Sequence, residues 1–183
     1  AGEEQEEEGA GREEEGRLRP MCAEDVPRCL ELMRARAHRF DLAPLWGEAA
    51  FRHRFLGRAA LSFVLGAPGE ARAFVSFTLV PLRTRAQPVL QAQLLGFASA
   101  PDAPPDATPK ALLAAALRAA RREGAHVFNA LALAEHTPLL LGALGFRAGD
   151  GLTSIHLLMG DHVGDAAPAA SLPQTAVAWL PLQ

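Results

Sequence analysis

Between residues 60 and 99 the chain offers three consecutive apolar runs, ALSFVLGA, ARAFVSFTLV and PVLQAQLLGFAS. The first two are separated only by APGE, whose proline and glycine mark a turn between strands. Runs this close in sequence pair as antiparallel neighbours, so a three-stranded meander is the first thing the chain must build. The pattern then changes. SAPDAPPDATP is a loop, Thr108 and Pro109 start a long helix over LLAAALRAARRE, and Gly124 stops it. HVFNALAL follows as a buried strand, TPLLLGALG repeats the Thr-Pro start and Gly stop in a shorter helix, and GLTSIHLLM is the strand after it. Ahead of the meander, LRPM is a short extended piece leading into a helix capped near Glu24 or Asp25. Val26, Leu30, Met33 and Ala37 form one apolar stripe of that helix, and GEAAFRHRFL makes a second, shorter one. Antiparallel strands followed by strands alternating with helices describe an α+β fold.

The 183 residues, 49% of them hydrophobic, suffice for one domain with its own core. Residues 1–16, AGEEQEEEGAGREEEG, hold eight glutamates against one arginine, and are expected to be a disordered acidic tail on a domain covering 17–183. Removing them from the 21 acidic and 18 basic residues leaves 13 and 17, a balance of +4. That charge is not clustered with aromatics, so nucleic-acid binding is not expected. The runs ALLAAAL and PLLLGAL are far shorter than the roughly 20 residues of a bilayer-crossing helix, and the expectation is a cytoplasmic protein. Cys22 and Cys29 are read as reduced thiols, and the histidines His126, His136 and His156 stand at no metal-ligand spacing.

The chain closes on AVAWLPLQ, an apolar end after the loose DHVGDAAPAASLPQ. Chain ends are usually polar and frayed, so this one is expected to return to the fold as a final strand at WLPLQ and bring the α-carboxylate with it.

LRPMCAEDVPRCLELM, DLAPLWGEAAFRHRFL, FVSFTLVPL, HVFNALALAEHTPLLLGALGFRAGDG and the closing LPLQ, in that order, resemble the carboxyl-terminal half of the eukaryotic N-myristoyltransferases over roughly residues 18–183. The FNAL segment followed at a fixed distance by GDG is the strongest piece. The resemblance implies an acyl-CoA N-acyltransferase-like fold, a twisted and mostly antiparallel sheet flanked by helices, as one half of a pseudo-symmetric pair. In that family the first half holds myristoyl-CoA as co-substrate, and the second forms most of the groove for peptides with an amino-terminal glycine. It also implies that the base is the terminal carboxylate, here that of Gln183, with Leu180 and Leu182 holding the end in place. Asn129 and the Gly149, Asp150, Gly151 trio would meet the substrate peptide, Asp150 receiving one of its basic side chains.

The chemistry requires such a base. An ammonium has no lone pair with which to attack a thioester, and its free pKa is about 8. Burial lowers that value and raises the carboxylate's from about 3.5, so both move in the useful direction.

The departures from the family are specific. The chain has no tyrosine, Thr78 and Leu94 stand where the family has tyrosines, Leu82 replaces a serine, IHLL replaces the tyrosines after GDG, and the lysine of KFG is lost in Gly145, Phe146, Arg147. No Gly-rich strand-to-helix turn offers amides to a pyrophosphate. The expectation is therefore a fragment whose acyl-CoA half lies elsewhere, the alternative being a degenerate peptide-binding module of the same fold. An ordinary amine acetyltransferase is disfavoured by the missing phosphate-binding turn.

Overall fold

The computed structural model describes residues 18–40, 43–85, 87–131 and 138–149, together with the backbone of a strand at 175–179. In chain order the elements are β1 (Arg19–Pro20), α1 (Val26–Ala37), α2 (Glu48–Phe55), β2 (Ala60–Leu65), β3 (Ala73–Arg83), β4 (Pro88–Ser99), α3 (Pro109–Arg122), β5 (Val127–Leu131), α4 (Pro138–Ala143), β6 (Arg147–Ala148) and β7 (Thr175–Trp179). Among the described residues the strands form one seven-stranded sheet in the order β1-β2-β3-β4-β5-β7-β6. Only the β4–β5 pair is parallel, and it is the one whose connection carries a crossover helix, α3.

Local chemistry sets the element ends. Thr108 accepts a hydrogen bond from Ala111 N at 3.3 Å, Pro109 occupies the first helical position, and Gly124 stops α3 at φ +79°. Gly145 ends the segment after α4 in the same left-handed conformation, φ +80°. The α1 stripe buries Val26, Leu30 and Met33 as expected, while Cys29 and Leu32 widen it and Ala37 is only half-buried.

The two faces of the sheet carry separate cores. On one, α1 and α2 close over Val64, Phe74 and Ala98, with Phe51, Phe55 and Phe74 in mutual ring contact and Trp46 edge-on to Phe55. On the other, α3 and α4 bring Leu112, Leu113, Ala116 and Leu141 against Val75, Phe77, Phe97, Phe128 and Ala130. No residue of β5 belongs to the first cluster, so the α1/α2 layer covers β2, β3 and the end of β4 and stops short of β5.

The meander, α3, β5 and α4 lie where the sequence places them. The two-residue β6 was not expected. A strand is described at Thr175–Trp179, which takes in Trp179 of the expected WLPLQ strand, and residues 180–183, the acidic run 1–16 and the GLTSIHLLM segment lie outside the described residues.

Candidate functional site

The β4–β5 ladder is short. It pairs Gln91 with Val127, Ala92 with Phe128 and Gln93 with Asn129, and there it ends, although β4 continues to Ser99 and β5 to Leu131. The cause lies on the opposite edge of β4. Against β3, Ser76 pairs with Gly96 and Phe77 with Leu94, so Leu95 is an extra residue without a partner. A bulge of this kind bends and twists its strand, and here it turns the second half of β4 away from β5. The strands part in a wedge, and Asn129 stands at its apex.

The register defines what lines this place. Ala60, Thr78, Gln93, Asn129, Val177 and Arg147 form one cross-strand row, and residues paired directly in a sheet share a face. Phe128 and Ala130 point into the α3/α4 core, so the alternating Asn129 looks to the other face, beyond the reach of α1 and α2. Asn129 Oδ1 is buried and has no hydrogen-bond partner among the described residues. Leaving such an acceptor unpaired costs about 1–3 kcal/mol, which makes the position a candidate for meeting a ligand. Beside it, Gln91 Nε2 donates to Gln93 Oε1 at 3.4 Å, and the Thr78 hydroxyl donates to Ala59 O. The row is neutral until Arg147, which is exposed on β6.

At the foot of β5, His126 extends the junction. Its N–H donates to Leu90 O at 2.8 Å, and its Nδ1 accepts from Leu90 N at 3.0 Å, so one residue closes both ends of a ladder step. The acceptor must be Nδ1 of a neutral ring carrying its proton on Nε2. Far from the wedge, Asp25 is 0% exposed and anchors the first turn of α1. Arg19 grips it through two nitrogens at 2.7 and 2.8 Å, and the Cys22 and Gly69 amides donate to it at 2.8 and 3.0 Å. Burial alone would raise this carboxyl, but the bonds from Arg19, Cys22 and Gly69 outweigh it and hold the group well below the usual carboxylate range. Cys29 is pushed up to about 12 by burial, with the charge of Asp25 adding to it, and is an inert packing thiol.

Of the residues singled out in the sequence, Asn129 is at the wedge, and Gly149 is partly buried just after β6. Asp150, Gly151, Leu180, Leu182 and Gln183 lie outside the described residues. β7 runs antiparallel to β5 with Val177 opposite Asn129 and Trp179 opposite Val127, whereas β6 leads past Ala176 towards the Thr175 end. Gln91 and Gln93 were missed. Two glutamines alternating with apolar residues in a strand look like an ordinary solvated face, and only the register with Asn129 gives them meaning.

The turn from β4 to α3 bears on acyl-CoA. Pro101, Pro104, Pro105 and Pro109 have no N–H to donate, and the Ala111 N–H is taken by Thr108. These positions offer no main-chain N–H to a pyrophosphate. A nearby hollow of about 540 Å³ is lined by Arg36, Arg39, Ser99 and Pro101, and the Arg36 guanidinium lies over the Phe40 and Phe97 rings at 5.3 and 5.1 Å. No group of three or more metal-ligating side chains gathers among the described residues.

The family described as "Myristoyl-CoA:protein N-myristoyltransferase, C-terminal domain" matches residues 10–158. The chain belongs to that family. Solved structures agree on the fold. N-myristoyltransferase of Saccharomyces cerevisiae with bound myristoyl-CoA is 27% identical at a TM-score of 0.57, the alignment covering 73% of this chain and 37% of that one. A probable N-acyltransferase from Enterococcus faecalis is 14% identical at a TM-score of 0.55, covering 72% and 32%. A predicted acetyltransferase from Clostridium acetobutylicum, solved with acetyl-CoA, is 11% identical at a TM-score of 0.61, covering 80% and 99%. This N-myristoyltransferase-family chain thus spans about a third of the first two and nearly all of the third. No curated protein matches it.

Proposed function

We propose that the chain is the peptide-binding half of a glycylpeptide N-tetradecanoyltransferase. Membership of the family supports the reaction class, and the observation that carries the peptide assignment is the buried Asn129 Oδ1, without a partner among the described residues, at the apex of the β4–β5 wedge. A half that binds peptide needs its acyl donor from elsewhere, and the proline-rich β4–α3 turn, poor in free amides, fits that division of labour. Myristoyl-CoA would be taken by a second half.

In the reaction, the Gln183 α-carboxylate removes a proton from the ammonium of the peptide's first glycine. The freed nitrogen lone pair attacks the thioester carbonyl, the C–S bond breaks, and the nitrogen's second proton passes to the departing sulfur, so that CoA leaves as thiol and the new amide remains on the peptide. Leu182 seats the chain end, and Gly149, Asp150 and Gly151 admit the peptide backbone and receive a basic side chain beyond the glycine. Two measurements test this. A glycine-initiated octapeptide titrated into the 183-residue chain is expected to bind, and no binding overturns the peptide assignment. One residue appended after Gln183, in a protein joining this half to an acyl-CoA half, is expected to abolish transfer; full activity overturns the terminal base.

The absence of tyrosine favours a second reading, a peptide-binding module of the same fold without catalysis, since each lost phenol removes a group that would orient the substrate. It differs in outcome: peptide binding persists, and no acyl transfer follows when the acyl-CoA half is supplied.

A further inference from the structure

The sheet offers more at the wedge than one asparagine. Gln93 is the register partner of Asn129 on the adjoining strand and shares its face, and Thr78 is the partner of Gln93 on the next. Neighbouring strands lie about 4.8 Å apart, so the three polar groups span about 10 Å, the length of about three residues of an extended chain. Their hydrogen-bonding states are complementary. Asn129 Oδ1 is an acceptor without a partner among the described residues, whereas Gln93 Oε1 already accepts from Gln91 Nε2, which leaves Gln93 its amide N–H groups to give. One strand therefore presents an acceptor and its neighbour a donor, side by side, in a setting with no charged side chain nearer along the row than Arg147.

One residue of an extended chain presents the opposite pair on a single edge, its N–H and its C=O. We infer that Gln93 is a ligand-binding residue that works with Asn129 as a two-point grip on the main-chain N–H and C=O of one residue of an extended ligand. Asn129 Oδ1 accepts the ligand N–H and Gln93 Nε2 donates to its carbonyl. Gln91 acts on Gln93 by engaging its oxygen and so fixing which end of the amide faces the ligand; it is a positioning residue. A grip of this kind reads backbone rather than side chain, which offers a chain without tyrosine a way to hold peptides of varied sequence. The inference rests on the peptide-binding reading above and adds the chemical group recognised.

The test uses the full 183-residue chain and a glycine-initiated alanine octapeptide, titrated together with the set of its single backbone-ester analogues, each of which replaces one N–H by oxygen. In the unmutated protein one ester position is expected to weaken binding about tenfold and the others much less, as loss of a donor to a buried acceptor predicts. Gln93→Leu and Asn129→Leu are each expected to weaken the parent peptide by about three- to tenfold, and Asn129→Leu to erase the sensitivity at the critical ester. Gln91→Leu is expected to weaken binding less than Gln93→Leu. A flat ester profile in the unmutated protein overturns the grip without calling on any variant to fold. Tight parent binding that Gln93→Leu leaves unchanged also overturns the role of Gln93, while the peptide assignment survives. Failure of the parent peptide to bind the unmutated chain overturns both.

Discussion

The two ends of the sheet are built to different standards. From β1 to β4 each strand is long or firmly tied. The meander is covered on both faces, three phenylalanines interlock beneath α1 and α2, and Asp25 is bonded by Arg19 and Cys22 from the chain just ahead of it and by Gly69 from the β2–β3 turn. From β5 onward the strands shorten to five, two and five residues, the α1/α2 layer is gone, and a buried amide oxygen stands without a partner among the described residues. The contrast teaches where rigidity is needed. On the proposed reading, a grip on a ligand is held by a frame: the frame is the meander, and the wedge at its border keeps a hydrogen bond unmet among the described residues.

The sharpest way to break this comparison is to attack the frame at Asp25. Asp25→Ala strands Arg19 and frees the Cys22 and Gly69 amides, and a loss of about 4 kcal/mol is expected in chemical denaturation. The same carboxyl predicts an acid limit. Its folded value lies below the unfolded one of about 3.9, so its contribution is complete above that pH and is lost as pH falls through the folded value; Asp25→Asn should flatten the acid limb of stability against pH. Next in size, Phe51→Ala empties a fully buried site ringed by Phe55 and Phe74 and should cost about 3–4 kcal/mol, whereas Leu141→Ala, on the six-residue α4 of the thinner end, should cost about 2 kcal/mol. Equal losses would erase the proposed difference between the ends. Asn129→Leu should go the other way, raising stability by about 1 kcal/mol because it removes a buried oxygen that is unpaired among the described residues, while peptide binding falls. Smallest, Thr108→Ala removes the cap of α3 and should cost about 1 kcal/mol in thermal melts, with the wedge unaffected.

What could be read from the sequence was what depends on near neighbours. Thr108 and Pro109 start a helix and Gly124 stops it for reasons contained within a few residues, and PVLQAQLLGFAS carries its own strand pattern. The site was legible only as far as Asn129, a polar residue in an apolar strand. Its partnership with Gln93 depends on the bulge at Leu95 and on a register set between strands more than thirty residues apart, which no local pattern encodes. The Asp25 cluster escaped for the same reason, since Gly69 reaches it from the β2–β3 turn. The two-residue β6 has too few positions to alternate and exists because β7 lies beside it.

That last strand is threaded between two that precede it, so on a growing polypeptide the outer edge of β5 stands open through the synthesis of everything up to Thr175. While the ribosome is still working, that edge is a template for any other extended segment within reach, and a chaperone holding it would shield the nascent product from aggregation until its proper neighbour emerges.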